Sequence, residues 1–305
     1  MMPMNVQHRR ASFGVDAEDR IAVTVRPARP DDAGRIAAIC YDAFRAIAEW
    51  HRFPPDFPNV EAALGFAEHA LSRSDVYGVV AEIDGKVVGS NFLWEADYAA
   101  GVGPITVDPQ VQNGAVGRRL MTAVLDRAQV RGTDAVRLVQ AAYHTRSLSL
   151  YAKLGFAVRE PLALLQGTPP GISVDGRRVR AAIEEDLSEA NHLCVRVHGH
   201  HRAGELATSI RQGTAMVVER RGAITGYTTG IGFFGHAVAT GEADMRALIA
   251  AAPSYAGPGF LVPMRDSDLL NWCLENGLRV IQMMTLMTRG SYREPQGAYL
   301  PSILY

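Results

Sequence analysis

The chain has 305 residues, a length that suits two domains of about 150 residues each. Apolar residues make up 48% and charged residues 21% of the chain, as in an ordinary globular protein. The 31 basic and 32 acidic residues leave a formal net charge of -1, so the chain has no global field that would hold nucleic acid or an anionic membrane surface. We therefore expect a small-molecule or peptide partner, with no nucleic acid and no membrane.

Targeting signals and disulfides are not expected either. No apolar stretch approaches the roughly 20 residues that span a bilayer, and residues 1–20 mix acidic and basic side chains as a flexible tail does. The three cysteines are widely spaced, which favours reduced thiols. These features predict a cytoplasmic protein, and a homodimer is compatible with them.

In chain order, the first half predicts strands interrupted by helices, the pattern of a mixed α/β sheet with helices on both faces. Breakers and polar turns separate these segments. The predicted strands are at 21–26, 76–83, 86–95, 102–107, 135–140 and from 156. The first predicted helix begins at about residue 30. Three further helices are predicted at 61–72, 114–131 and 145–154.

The second half repeats the first. Val25 to Asp32 aligns with Val179 to Asp186, and the same offset places Cys40 on Cys194. Two further matches follow in the same order, a strand–turn–strand hairpin and a helix ended by glycine. In the hairpin match, residues 79–89 align with residues 217–226. In the helix match, residues 150–156 align with residues 272–278. The repeat predicts two domains of one fold, at 21–165 and 178–305, joined by a linker at 166–177 that is rich in breakers.

A loop of small residues connects a strand to a helix in the first domain. Ile105, Thr106 and Val107 end the strand, and Arg118 and Arg119 lie early in the helix. The first amides of a helix lack intrahelical partners and attract anions, so a bound polyanion would explain two arginines at this end. A short connection with solvated arginines is the alternative. The loop itself runs through Gln112, Asn113, Gly114, Ala115, Val116 and Gly117.

This loop resembles the pyrophosphate-binding loop of the GNAT superfamily of acyl-CoA-dependent N-acyltransferases, Gln/Arg-x-x-Gly-x-Gly/Ala, with Ala115 in place of one glycine. A second family segment, Tyr-x-Lys-x-Gly-Phe, matches residues 151–156. The resemblance implies two tandem GNAT-like domains, each with a mixed, mostly antiparallel central sheet flanked by helices. It also implies acetyl-CoA as co-substrate, held by the strand end, the loop, Ser147 and Tyr151, and transfer of acetyl to a primary amine.

Three residues are predicted to carry the chemistry. Tyr151 matches the family's general acid, which would protonate the departing thiolate, although a tyrosine on an amphipathic helix is also a common core residue. His144 lies seven residues earlier, on the same face if the helix extends that far, and could relay a proton. Glu95 is a carboxylate near the strand that precedes the loop, and either it or Asp97 could serve as general base, although solvated acids at strand ends are common.

Trp50, His51 and Phe53 lie in an aromatic loop between the first two helices, where the family commonly borders its acceptor pocket. Packing of this loop against the second domain is the alternative. The apolar end of the chain, residues 300–305, is predicted to dock as a strand or plug.

The second half lacks these features. No small-residue loop precedes its helix at 245–252, Glu242 and Asp244 would repel a diphosphate there, and Cys273 stands where Tyr151 stands in the repeat. We expect a noncatalytic, degenerate domain. The histidines at 198, 200 and 201 do not have the spacing of established zinc sites, so no metal is predicted. The alternative function is a non-enzymatic sensor or scaffold that binds acyl-CoA.

Overall fold

The computed structural model describes residues 22–111 and 115–304, so the predicted tail at 1–20 and the loop residues Gln112, Asn113 and Gly114 lie outside the described residues. The first half follows the predicted order of elements closely. Its single predicted strand at 102–107 is divided into two shorter strands. The elements are β1 (Val23–Pro27), α1 (Ala33–His51), α2 (Val60–Ser72), β2 (Val76–Ile83), β3 (Lys86–Trp94), β4 (Ala99–Val102), β5 (Thr106–Val107), α3 (Val116–Val130), β6 (Ala135–Ala141), α4 (Thr145–Lys153) and β7 (Ala157–Gln166).

The second half repeats this order and adds one strand at the end. Residues 167–177 connect the halves without a helix or strand. The elements are β8 (Arg178–Ala181), α5 (Leu187–His198), α6 (Ala203–Arg211), β9 (Met216–Arg220), β10 (Ala223–Thr228), β11 (Ala237–Ala239), α7 (Glu242–Ala251), β12 (Phe260–Pro263), α8 (Ser267–Glu275), β13 (Arg279–Gly290) and β14 (Ala298–Leu300).

The repeat extends to individual ion pairs. Arg26 in β1 pairs with Asp32 at 2.8 Å, and Arg180 in β8 pairs with Asp186 at 2.6 Å. In each half, the hydrogen bonds from the arginine lower the pKa of the aspartate. The same carboxylate also accepts from a backbone N–H before the first helix. Both halves therefore fix the entry to this helix in the same way.

Local sequence accounts for the bounds of several elements. The Asn59 side chain accepts a hydrogen bond from the Ala62 N–H at 2.8 Å and begins α2 as an N-cap. Asp84 and Gly85 both have positive φ, which matches the twist of the β2–β3 hairpin. Arg221 and the glycine after it adopt the same conformation in the β9–β10 hairpin.

The strands form two sheets, and the halves exchange a strand in the larger one. The nine-stranded sheet has the order β1-β2-β3-β4-β6-β13-β7-β12, with β5 also paired to β3. Strand β13 of the second half lies between β6 and β7, and β7 of the first half lies between β13 and β12. The boundary in the sequence therefore does not divide the sheet, because each half completes the other.

Strand β14 lies in the smaller sheet, which has the order β14-β11-β10-β9-β8. It pairs antiparallel with β11, from Ala237 opposite Leu300 to Ala239 opposite Ala298, and packs against β12. Of the segment 300–305 that was predicted to dock, only Leu300 belongs to this strand, which spans Ala298–Leu300. The remaining described residues, 301–304, run toward the first half.

The core of the first half lies on both faces of its sheet. Along β2, Val79 and Ala81 face one side and pack with Leu120 of α3, while Val80 faces the other side and packs with Ile36 of α1. Full burial of each large side chain contributes roughly 1.5 to 3 kcal/mol. This packing fixes α1 and α3 on opposite faces and leaves their ends at the same edge of the sheet. In the described part of the chain, no helix is long and apolar enough to cross a bilayer.

Candidate active site

The site begins where two parallel strands separate. Strands β4 and β6 pair from Ala99 opposite Ala135 to Gly101 opposite Arg137, and the pairing ends there. The chain then leads through Gly103 to β5, while β6 continues to Ala141 with β13 on its other side. The edges that face each other carry backbone donors and acceptors that this parallel pairing does not use.

A cavity of about 700 Å³ opens between the separated strands. It extends from the start of α3, past α4, to the end of α1 and the loop after it. Most of the residues predicted from the sequence line it. They are Trp50, His51, Ile105, Thr106, Val107, Ala115, Val116, Gly117, Arg118, His144, Ser147 and Tyr151.

The start of α3 forms one end of this cavity. Ala115 is the N-cap, with φ of 61°, in the left-handed conformation that favours glycine. The amides that follow it point out of the first turn without intrahelical partners, at the positive end of the helix dipole. A Cβ at Gly117 would make only ordinary contacts, the nearest at 3.5 Å from the Leu150 side chain, so the glycine keeps this end of the cavity free of bulk. Arg118 adds a cation to the same end.

Tyr151 lies in the middle of the cavity wall and is only 6% exposed. Burial raises the pKa of its phenol to about 12, and a hydrogen bond with the Ser147 side chain opposes this shift. An ordinary phenol has a pKa near 10, so burial makes Tyr151 a weaker acid than a solvated tyrosine. It stays protonated at neutral pH and remains a hydrogen-bond donor there.

His144 precedes α4 instead of lying within it. Its Nδ1 accepts a hydrogen bond from the Ser147 N–H at 3.1 Å, so the imidazole caps the helix. A ring nitrogen that accepts carries no proton, which places the proton of the neutral ring on Nε2. Burial lowers the pKa of His144, so the neutral form persists at neutral pH. In this state His144 can donate a hydrogen bond from Nε2 into the cavity but has no free basic nitrogen.

Three of the predicted residues lie elsewhere. Glu95 is not among the cavity's lining residues, and its carboxylate accepts from Arg127 at 2.9 Å and 3.0 Å. Arg119 donates to the Val23 carbonyl at 2.9 Å, so its guanidinium faces β1. Phe53 stacks on Tyr143, with 4.5 Å between the ring centroids. Of these two rings, Tyr143 is the one that lines the cavity.

Several lining residues were not predicted. Asp56 lies in the loop after α1, and Phe57 follows it directly. Phe234 and Leu304 line the cavity from the second half. The composition of 53–58, aromatic and proline-rich, indicated a loop at this place, but nothing in the sequence set the Asp56 carboxylate apart from other solvated acids. The second-half residues reach the site through the exchanged strands and the end of the chain, which the local pattern does not show.

Gln140 marks the floor of the cavity. Its side chain is 7% exposed, and neither its Nε2 nor its Oε1 has a hydrogen-bond partner within the described residues. An unpaired buried amide costs roughly 1 to 3 kcal/mol. The residue lines the cavity on β6, so a ligand with its own donors and acceptors could satisfy this amide.

The equivalent space in the second half is filled by the chain. Strand β14 occupies the place next to β11 and against β12, where the first half has its open cavity. Only residues 240–241 separate β11 from α7, whereas residues 108–115 separate β5 from α3. Cys273 in α8 takes the place of Tyr151, and is fully buried in an apolar cluster.

Histidines of the second half form a buried cluster away from the cavity. His198 and His236 approach to 3.1 Å between their Nε2 atoms, and burial lowers the pKa of both rings well below the usual value. His200 stacks on Tyr98 of the first half, with ring centroids 5.4 Å apart. Among residues 22–111 and 115–304, no three His, Cys, Asp or Glu side chains are grouped so that they could hold a metal ion.

Comparison with known proteins gives one family match and several structural ones. The model of the acetyltransferase (GNAT) family matches residues 41–156, which contain the loop, α3, α4 and Tyr151. No sequence among curated proteins matches the chain. A protein from Pyrococcus horikoshii assigned to the acetyltransferases is 18% identical with a TM-score of 0.70, over 97% of this chain and 98% of that one.

Two further solved structures match most of the chain. A GCN5-related N-acetyltransferase from Sphaerobacter thermophilus is 16% identical with a TM-score of 0.59, over 90% of this chain and 97% of that one. A tandem GNAT protein from the clavulanic acid biosynthesis pathway is 13% identical with a TM-score of 0.53, over 88% of this chain and 98% of that one. At these identities the structural matches establish the fold, and they confirm the predicted tandem α/β architecture.

Proposed function

We propose that this chain, which matches the model of the acetyltransferase (GNAT) family over residues 41–156, transfers an acetyl group from acetyl-CoA to a primary amine. The transfer would take place in the first half by direct attack of the amine. The observation that carries this proposal is one continuous cavity that joins the start of α3, Tyr151 and the aromatic end of α1.

The lining residues fit acetyl-CoA at two places. The free amides of the first turn of α3 and the Arg118 guanidinium suit the diphosphate, and Gly117 lets it approach the backbone. The facing edges of β5 and β6, together with the Gln140 amide, suit the amide-bearing arm that leads to the thioester. When bound, acetyl-CoA supplies the activated acetyl group.

The amine nitrogen attacks as a neutral base and forms a bond to the acetyl carbon. The carbon–sulfur bond then breaks, and its electron pair remains on sulfur. Tyr151 donates the phenolic proton to this sulfur and recovers a proton from water, while the nitrogen loses its extra proton to water. Because the phenol is protonated throughout the neutral range, the donor is always available. A thiol with an ordinary pKa near 8.5 is a stronger acid than the Tyr151 phenol, so this proton transfer is uphill by about 3.5 pKa units and is driven to completion by reprotonation of the phenolate from water.

Two residues would position the acid. Ser147 lies one helical turn before Tyr151, where its side chain opposes the rise in the pKa of the phenol and would help to orient it. His144 caps the same helix and presents its Nε2 proton to the cavity. We assign to His144 a donor role toward the bound ligands, since Nδ1 is already engaged by the backbone.

The second half would act as a wall without a cofactor site of its own. Its β14 fills the space that acetyl-CoA would need, and its α7 begins without the small-residue loop. Phe233, Phe234, Ile303 and Leu304 instead line the cavity of the first half. The acceptor pocket would therefore be built by both halves.

Release of free thiol from acetyl-CoA, measured with a panel of primary amines, tests the proposal. Tyr151→Phe removes the proton donor, so kcat should fall about 100-fold or more while the acetyl-CoA Kd stays within about twofold. Tyr41→Phe, on the outer part of α1 and not in the cavity lining, is the matched control and should keep full activity.

Full activity in Tyr151→Phe would remove the phenol from the mechanism. Tight acetyl-CoA binding without turnover for any amine would contradict acetyl transfer and favour the sensor.

A further inference from the structure

The end of the cavity remote from α3 is lined by rings. Phe44, Phe57, Phe66, Phe234 and Phe233 form a chain of contacts, with centroids 6.0, 6.1, 6.1 and 5.6 Å apart in that order. We call these five residues the aromatic wall. All five line the cavity, and the last two come from the second half. This end therefore favours a flat apolar group over a polar one.

A single carboxylate is set into this wall. Among the described lining residues, Asp56 is the only acid, and it directly precedes Phe57. Within the described part of the chain, no hydrogen bond or ion pair joins it to a cation. Its charge acts on the Tyr143 phenol and the Cys40 thiol, whose pKa values burial raises and the Asp56 charge raises further.

An unpaired carboxylate in an apolar cavity is costly unless a ligand supplies the opposite charge. Desolvation alone raises the pKa of Asp56 to about 6, which reflects the missing partner. At neutral pH the group is still mostly ionised. An ammonium group would restore the ion pair, and the neighbouring aromatic faces would add cation–π attraction.

We infer that the acceptor is a primary amine carried on an aromatic body, and that the Asp56 carboxylate binds its ammonium group while the aromatic wall holds the ring. The bound ammonium group loses one proton to water before its nitrogen attacks the thioester. The inference rests on the proposed acetyl transfer and specifies its acceptor. It also accounts for the role of the second half, since Phe233 and Phe234 complete the surface for the ring. An α-amino acid would bring a second carboxylate beside Asp56, so the matching amine without a carboxylate is preferred.

Kinetics with matched acceptors at saturating acetyl-CoA test the substrate class. The reference acceptor is 2-phenylethylamine. Compared with it, ethylamine lacks the ring and phenylalanine carries an additional carboxylate. We expect kcat/KM to be at least about 30-fold lower for each, because about 2 kcal/mol of ring burial or charge repulsion is involved. Equal kcat/KM for the three amines would overturn the assignment.

Variants separate Asp56 from general effects on the fold. Asp56→Asn keeps the shape and should raise the KM for 2-phenylethylamine about 100-fold, as the loss of a buried charge partner does, with kcat changed less. Asp42→Asn, an exposed position on α1 outside the cavity lining, is the matched control and should stay within about twofold. Phe234→Ala should raise the same KM about 10-fold through lost ring contact.

A binding measurement keeps this inference distinct from the transfer reaction. Trimethyl(2-phenylethyl)ammonium cannot be acetylated, and its calorimetric Kd needs no turnover. We expect it to bind the unmodified protein and Asp42→Asn equally and to lose about 100-fold in Asp56→Asn. Equal affinity in Asp56→Asn would refute the role of Asp56 while leaving acetyl transfer intact. Charge-dependent binding without transfer to any amine would instead contradict the proposed function alone.

Discussion

Leu304, near the end of the chain, lies directly on Gly101 in β4, so that a Cβ at Gly101 would overlap the Leu304 carbonyl. We therefore expect Gly101→Ala to displace residues 301–304 from the wall of the cavity. Forcing a backbone apart in this way should lower the free energy of unfolding by about 1 to 3 kcal/mol. The KM for the amine should rise several-fold, measured together with unfolding in denaturant.

Gly65→Ala on α2 is the matched control, because a Cβ there would meet no atom within 4 Å. In the middle of a helix this change should raise the free energy of unfolding by roughly 0.5 to 1 kcal/mol. If Gly101→Ala also raised the free energy of unfolding, the close contact between Gly101 and Leu304 would be contradicted.

Ala115 holds a backbone conformation with φ of 61° at the start of α3. An L-residue there costs roughly 1 to 2 kcal/mol, of which glycine's greater freedom in the unfolded chain cancels part. Ala115→Gly should therefore raise the free energy of unfolding by about 0.5 kcal/mol, and the acetyl-CoA Kd should fall or stay the same. Chemical denaturation and calorimetry measure the two effects.

Ala123→Gly, in the interior of the same helix, is the control, and its effect on the free energy of unfolding should have the opposite sign. There glycine lacks helix propensity, and the free energy of unfolding should fall by about 1 kcal/mol. A loss of the same size in Ala115→Gly would contradict the left-handed conformation at Ala115.

The ionised Asp56 carboxylate is expected to support activity and to lower the stability of the fold. Its pKa is about 6 in the folded protein, above the value of about 3.9 expected for the unfolded chain. The folded state therefore binds this proton more tightly, and the ionised group lowers stability at pH 7 and above. The difference of about 2 pKa units corresponds to at most about 3 kcal/mol, less what the open cavity screens.

Asp56→Asn should accordingly unfold at a higher temperature than the unmodified protein at pH 8, and the gain should vanish by about pH 4. In the unmodified protein, kcat/KM should fall as the pH drops through about 6, because protonation removes the charge that binds the amine. The facing Tyr143 and Cys40 stay protonated over this range, since burial raises the pKa of each. A variant with lower stability at pH 8 would indicate that Asp56 has an unseen structural partner.

The elements of the first half and the repeat could be predicted because both are local. The match that places Cys40 on Cys194 aligns two thiols that are both buried in the structure. The motif around Tyr151 likewise predicted a residue that lines the cavity. In each case the spacing along one helix or one turn carries the information.

The rest depends on contacts between distant parts of the chain. The exchange of β7 and β13 and the filling of the second cleft by β14 involve strands whose patterns are compatible with several sheet partners. Among the described residues no ion pair joins the Asp56 carboxylate to a cation, which only tertiary packing decides. Glu95 illustrates the reverse, since Arg127 pairs with it from another element.

A calorimetric titration with acetyl-CoA tests the central claim most directly, because it counts the working sites. The account predicts one site per chain, lost in Gly117→Leu, where the Cβ fits at 3.5 Å from Leu150 but the rest of the side chain must enter the cavity. Two sites per chain would mean that β14 does not close the second half. The absence of binding would contradict an acetyl-CoA site in the first half and, with it, the proposed transfer.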